Sequence, residues 1–318
     1  MKIKIIILFS AFWVLALTLS AQQYPDMSNF SQNILLFNPA ATGLESFIDA
    51  RGGYRKKWAQ LEGSPTTSFF SAHGGTDVVE KDTAGAETVT GRSGFGGYFL
   101  NDRFGVLSRN QVNLAYAYHL PLTTTTKISF GATFGLGSFR LGELNPRDKT
   151  DALLQDAGVS KLTPDLGLGA IIYSSKYFIG VSAQQVLQSK LSFTDAADVN
   201  ETKLNTHVFL TGGYNHQVNE NVRLQPSFML RSVKGPDASY DINLKMIFKE
   251  TFWGGVSLRN QDALVLMVGA RLESGINFGY AFDLVTADIS KAAANGHEIH
   301  LGYNIFRKGA EKTKPKFW

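Results

Sequence analysis

The chain has 318 residues, with 31 Lys and Arg against 27 Asp and Glu, 31 Gly, 9 Pro and no Cys. Zero cysteine excludes a disulfide scaffold, a thiolate metal site, a cysteine nucleophile and a lipidated amino-terminal cysteine. Aromatic residues make up 12%, charged residues only 18% and hydrophobic residues 44%, a glycine- and aromatic-rich balance that leans to β structure and excludes a bundle of membrane helices.

The first element is a targeting segment, residues 1–21. Lys2 and Lys4 precede an apolar run from Ile5 to Leu19, and Ser20-Ala21 supply small residues at its end. This reads as a secretory signal peptide cut after Ala21, the other reading of the run being a single membrane anchor. Losing Lys2 and Lys4 lowers the formal charge from +4 to +2, so the charge balance carries no nucleic-acid signal. Beyond residue 22 no apolar run approaches the roughly 18 residues that a membrane helix needs. A mature chain placed in a membrane would therefore have to be a closed β-barrel, the remaining way to satisfy every backbone group there.

Residues 22–45 read as a non-barrel segment. Asn38-Pro39 favours a turn and Gly43 can end it before the first strand. Fourteen strand candidates follow, near 46–58, 66–76, 92–101, 108–120, 126–141, 164–173, 176–187, 204–217, 221–232, 238–249, 252–259, 263–273, 276–285 and 297–306. Their period is two, which sends successive side chains to opposite faces. Ile276, Phe278, Tyr280, Phe282 and Leu284 alternate with Asn277, Gly279, Ala281 and Asp283; Val222, Leu224, Phe228 and Leu230 alternate with Arg223, Gln225, Ser227 and Arg231. A soluble sandwich also alternates, so loop lengths have to separate the two.

From the fourth strand onward the connections 121–125, 174–175, 218–220, 250–251 and 274–275 are short. The intervening ones, 142–163, 188–203, 233–237 and 286–296, are longer, with 260–262 the exception. Short turns on one rim and long loops on the other is the layout of outer-membrane barrels. With both ends of the mature chain in the periplasm, the short set falls on the periplasmic rim. The polar segment 77–91 breaks this rule, either as a long periplasmic excursion or as an uncounted hairpin. The expected fold is all-β, a transmembrane antiparallel β-barrel of about 14 strands spanning 46–306, with a short amino-terminal periplasmic or plug segment.

Gly-Gly pairs at 52–53, 74–75, 96–97, 212–213 and 254–255 fall inside these strands. Barrel curvature is the preferred explanation; the alternative is a lumen narrowed by a plug, with Gly131, Gly135 and Gly137 leaving room. No Gly-x-Ser-x-Gly elbow or phosphate-binding glycine loop is present. His297 and His300 lie three apart on a strand, hence on opposite faces, and cannot share a metal. His119 and His216 fall at strand ends, where a solvated or interfacial histidine is usual. The expectation is no enzyme, no metal and no cofactor. The tail 307–318 carries Arg307, Lys308, Lys312, Lys314 and Lys316 against Glu311, as a solvated end or a periplasmic docking peptide.

The blocks Gln22-Gln23-Tyr24-Pro25, Phe30-Ser31-Gln32 and Asn38-Pro39-Ala40-Ala41-Thr42-Gly43 resemble the opening of the PorP/SprF family of Bacteroidetes. Arg55-Lys56-Lys57-Trp58, Gly63-Ser64-Pro65-Thr66-Thr67, Gly94-Phe95-Gly96-Gly97 before Asn101-Asp102, Pro164 to Gly169 and His297-Glu298-Ile299 are similar to later landmarks of the same family. The motif residues Asn38, Pro39, Gly43, Arg55, Trp58, Gly63, Pro65, Asn101 and Asp102 are the candidate structural sites. The resemblance implies an outer-membrane barrel of the type IX secretion and gliding-motility machinery. Its implied partners are secretion cargo with a sorting domain, periplasmic and outer-membrane components of the machinery, and outer-membrane lipid. It further implies a role in export or surface attachment of adhesin-like proteins with type B sorting domains. The residues themselves add two expectations. Residues 22–45 enter the lumen or cross its periplasmic mouth, with Arg55 and Trp58 anchoring the first strand unless Trp58 belongs to an aromatic belt. Cargo meets the loops 142–163, 188–203 and 286–296. The alternative function is a passive porin or substrate channel.

Overall fold

The computed structural model describes residues 24, 26–81, 87–142, 160–191, 202–235, 237–260, 262–286 and 295–306. The targeting segment 1–21 and the basic tail 307–318 lie outside these residues, as does most of the three long loops. Fourteen strands form the barrel: β1 (Ile48–Lys56), β2 (Thr66–Lys81), β3 (Glu87–Phe104), β4 (Leu107–Pro121), β5 (Lys127–Leu141), β6 (Ser160–Tyr173), β7 (Tyr177–Gln184), β8 (His207–Tyr214), β9 (Val222–Val233), β10 (Ser239–Phe248), β11 (Phe252–Arg259), β12 (Ala263–Arg271), β13 (Ile276–Val285) and β14 (Gly296–Ile305). Each pairs antiparallel with its neighbours in sequence, and β14 closes on β1 from Ile48↔Ile305 to Lys56↔His297. His216–Asn219 prolongs β8 against β9, and Lys190–Leu191 pairs with Thr202–Lys203 in the β7–β8 connection.

The barrel is apolar outside and polar inside. Along β4, Val112, Leu114 and Tyr116 face outward while Arg109, Gln111, Asn113 and His119 are buried in the lumen. Leu114 and Leu162 are 71% and 73% exposed, whereas Lys245 is 1% exposed. That inversion decides against a water-soluble sandwich, whose apolar face must be covered. An outer wall of Leu, Ile, Val and Phe matches a hydrocarbon surround, and closure leaves no unpaired strand edge within it.

β1 begins, and β14 ends, at what we term the near rim; the opposite end is the far rim. The short connections after β4, β6, β10 and β12 all lie at the near rim. The segment 77–91, expected as a long excursion or an uncounted hairpin, is mostly a prolongation of β2 and β3. β2 pairs with β3 from Thr66↔Arg103 to Lys81↔Glu87, while β1 accompanies β2 only as far as His73 and β4 accompanies β3 only as far as Arg92. The β2–β3 hairpin therefore extends past its neighbours, with a register shift at Val78/Val79. Cross-strand pairing overrides the polar composition that reads as a loop.

A second difference concerns the amino-terminal side. Tyr24 packs against His207 and Phe209, at the start of β8, and Asp26 reaches Arg259, at the end of β11. Both mark the far rim. Gly43 meets His73 and Arg92 at the near rim, where β1 starts. Tyr24 and residues 26–47 thus mark a path through the lumen from end to end, and the first described residue lies opposite β14's end instead of beside it.

Candidate functional site

Three short 3-10 turns, Phe30–Gln32, Ile34–Leu36 and Pro39–Ala41, shape the luminal segment, with every residue in them buried. Such a segment has few backbone bonds of its own, and buried carbonyls must find donors elsewhere. The wall supplies them. Arg55 donates to Asp26 O at 3.0 Å and Arg259 to Met27 O at 2.6 Å; Ser182 and Gln184 both donate to Phe37 O, at 2.8 and 2.9 Å. Ser129 Oγ donates to Ala40 O at 2.8 Å and Arg92 Nε to Gly43 O at 2.7 Å; Arg51 donates to Gln32 O. His119 Nε2 lies 2.8 Å from Thr42 O, and its Nδ1 lies 2.9 Å from the Tyr173 hydroxyl. A carbonyl only accepts, so Nε2 carries the proton and the Tyr173 O–H donates to Nδ1. His119 is thus buried in a bonded chain, not solvated at a strand end.

The near-rim half fits by shape. Asn38 caps the third turn: its Oδ1 accepts from Ala40 N at 3.0 Å, while its Nδ2 donates to Ala170 O at 3.3 Å and Val181 O at 3.2 Å, joining the segment to β6 and β7. Pro39 occupies the first helical position, which needs no N–H. Gly43 has φ +69°, and a Cβ there would stand 2.5 Å from the Gly94 Cα and 2.7 Å from Gly74 O. On the wall, a Cβ on Gly131 would lie 2.5 Å from Ala40 N and Pro39 O. Several of these glycines serve close approach: Gly75 and Gly131 clear space for the luminal segment. Gly53, Gly135, Gly137 and Gly213 clear it for Phe69, Asn113, Thr163 and Phe178 of the wall.

The far-rim half is held by charge. Asp26 receives Arg259 at 2.9 Å, Arg231 at 3.1 Å and Arg55 at 3.6 Å. Wall carboxylates hold the same guanidinium groups: Asp283 for Arg55 at 2.7 Å, and Asp241 for Arg259 and Arg231 at 2.9 and 3.1 Å. Glu298 accepts from the Ser28 backbone N–H at 2.5 Å. Burial alone would raise the Asp26 carboxyl, but Arg259, Arg231 and Arg55 outweigh it and keep it well below the usual carboxylate range. Tyr24 closes this end with its hydroxyl on Leu36 O at 2.9 Å and the Arg109 guanidinium 5.7 Å from its ring centroid.

The candidate residues divide accordingly. Asn38, Pro39 and Gly43 lie in the luminal segment, and Arg55 joins it to β1. The others sit at the far rim with wall roles. Trp58 has φ +54°, lies under the Lys57 ammonium at 5.0 Å, and its indole N–H has no partner. Gly63 O accepts from Gly105 N at 2.8 Å and Pro65 O from Lys57 N at 2.9 Å. Asn101 donates to Asn110 Oδ1 at 2.7 Å, and Asp102 Oδ1 accepts from Thr67 at 2.6 Å. His300 stacks on Trp253 in the lumen while His297 contacts Tyr280 outside, as their spacing requires. Sequence reasoning did not single out Arg92, Arg231, Arg259, Asp241 or Asp283. Alternation places Arg231, Asp241 and Asp283 on inward faces, but which of them meet across the lumen is not periodic information.

The family model described as type IX secretion system membrane protein PorP/SprF matches residues 19–303. The chain belongs to this family. The PorP/SprF match thus covers both the luminal segment and nearly all of the barrel. Solved structures of related architecture include the toluene transporter TbuX of Ralstonia pickettii (13% identity, covering 85% of this chain and 93% of that one, TM-score 0.45). The toluene transporter TodX of Pseudomonas putida shares 12% identity over 89% and 94% of the two chains, TM-score 0.45. A FadL homologue of Pseudomonas aeruginosa shares 9% over 89% and 94%, TM-score 0.47. No curated protein matches the chain.

Proposed function

We propose that this PorP/SprF barrel assists export or surface attachment of adhesin-like cargo with type B sorting domains, and that it links to periplasmic motor or ring components. The observation carrying the reading is the family match over a barrel whose lumen holds Tyr24 and residues 26–47 along its whole length. A filled lumen suits a component that receives or positions other proteins at its rims. In this reading the near rim, with its short turns, faces the periplasm, and the far rim, with loops 142–163, 188–203 and 286–296, meets cargo.

A clean deletion followed by proteomics of the cell surface and culture medium tests it. Loss of one adhesin-like protein, restored by complementation, is expected for a dedicated partner; loss of many type IX cargoes is expected for a core component. An unchanged secretome overturns the reading. The passive channel requires a conducting pore; steady conductance of the native chain in a planar bilayer would favour it.

A further inference from the structure

At the far rim three guanidinium groups converge on one carboxylate that does not belong to the wall. Arg55, Arg231 and Arg259 are each held from the wall by Asp283 or Asp241, and Arg259 by Asp262 as well, so each keeps a wall partner when the luminal segment moves. The Asp26 carboxylate, just after the first described residue of that segment, receives one nitrogen each of Arg259 and Arg231 at 2.9 and 3.1 Å, with Arg55 at 3.6 Å. Arg55 and Arg259 also hold Ser28 Oγ and the Asp26 and Met27 carbonyls. Guanidinium forks preorganised in this way form a carboxylate receptor, because planar N–H pairs match carboxylate geometry and need no further ordering to bind. The cage is not sealed, as the Asp26 and Arg231 side chains keep 14% and 15% of their surface exposed. Its present occupant is held at a high effective concentration by the chain behind it.

We propose that this cage is a carboxylate-binding site for an acidic peptide segment, and that Asp26 is its built-in competitor. An incoming carboxylate exchanges with Asp26 without changing the net charge of the cage, and loosens the chain at Asp26 and Met27 while Glu298 keeps Ser28 N. The near-rim half, seated on the glycine wall, stays in place. This site is independent of the export reading and can be tested on the purified full-length barrel.

The test is anisotropy of a labelled hexaglutamate peptide at low salt, with hexalysine and inorganic phosphate as controls. Asp26→Asn removes the competitor's charge and is expected to tighten peptide binding about tenfold or more, since the site no longer has to be vacated first. Adding Arg231→Gln to that variant should weaken it again. A second measurement uses the native cage: Met27→Cys gives the chain its sole thiol, buried in the native fold. Millimolar hexaglutamate should raise its maleimide reactivity several-fold, and hexalysine should not. A folded Asp26→Asn barrel that binds the peptide no more tightly overturns the proposal. If Asp26→Asn does not fold, an unchanged Met27→Cys reactivity overturns it. Competition by phosphate equal to that of the peptide would make the cage a general anion site and overturn the peptide assignment.

Discussion

The two halves of the luminal segment are held by different physics. The far-rim half, Tyr24 to Asn33, rests on long charged side chains: Arg55, Arg231 and Arg259 on Asp26, Lys245 Nζ on Ser31 Oγ at 3.2 Å, and Glu298 on Ser28 N. The near-rim half, Ile34 to Phe47, rests chiefly on steric fit, an Asx cap and neutral donors, with a single guanidinium, Arg92, on the Gly43 and Glu45 carbonyls at 2.7 and 2.5 Å. Directional charge contacts can be exchanged for those of another ligand, while a backbone seated against glycine has no substitute partner. The comparison teaches that a lumen can be closed permanently at one end and conditionally at the other by a single chain.

Breaking the steric half should have the largest effect. Gly43→Val combines a disfavoured positive φ with overlap on Gly94 and Gly74, neither of which can retreat because both are backbone of a closed sheet. Strain of about 3 kcal/mol or more is expected, enough to unseat the near-rim half. The measurement is planar-bilayer conductance, which should rise from a closed baseline to sustained openings. A lower thermal midpoint with conductance unchanged would instead show that the segment stays seated under strain.

The charged half should respond to a single arginine. Arg259 contacts Asp26, Asp241, Asp262 and the Met27 carbonyl. Arg259→Met leaves Asp241 and Asp26 short of countercharge inside the lumen, a loss of about 3–5 kcal/mol for a buried pair broken from one side. Thermal unfolding followed by heat-modifiable electrophoresis checks this. The replacement should also expose the far-rim end to maleimide through Met27→Cys while conductance stays low, because the near-rim half is intact. Asn38→Ala ranks below it. The cap and two bonds to β6 and β7 are worth about 1–2 kcal/mol together, since the backbone carbonyls of Ala170 and Val181 remain paired in the sheet. Its signature is a lower thermal midpoint with the barrel still closed.

Much of the barrel is legible in the sequence because alternation is local. Each of the fourteen strands carries its own inward and outward rows, as in Ile276 to Leu284 against Asn277 to Asp283. The extension of β2 and β3 past their neighbours was not legible, since Asp77, Glu80 and Lys81 have loop-like composition and pairing alone makes them strand. Asn38, Pro39 and Gly43 stood out as turn chemistry. The need for Gly131 opposite Pro39 and Ala40 arises only when the segment is inside the barrel, where a residue more than 90 positions away in sequence decides the fit. The arginine cage is of the same kind: Arg55, Arg231 and Arg259 come from β1, β9 and β11 and are brought together by closure.

The smallest expected effect is that of acid, and its sign follows from Asp26. Its carboxyl is held below the ordinary value near 3.9 because Arg259, Arg231 and Arg55 outweigh the burial that would raise it. A carboxyl depressed in the folded state adds stability that is fully present above its unfolded pKa and is lost only as pH falls through the folded one. From neutral pH down to about pH 4.5 the carboxylate therefore stays ionised, and the cage keeps its occupant. Maleimide reactivity of Met27→Cys, measured as thiol modification corrected for the intrinsic pH dependence of a free thiol, should be flat across that interval. A rise on acidification would mean that a carboxylate holding this end takes up a proton in that interval, and Glu298→Gln, which removes the other carboxylate at this end, the one on Ser28 N, would separate Asp26 from Glu298. Added salt gives the sharper contrast. Screening weakens partly exposed charge contacts and leaves steric seating untouched, so high salt should raise the reactivity of Met27→Cys without raising conductance.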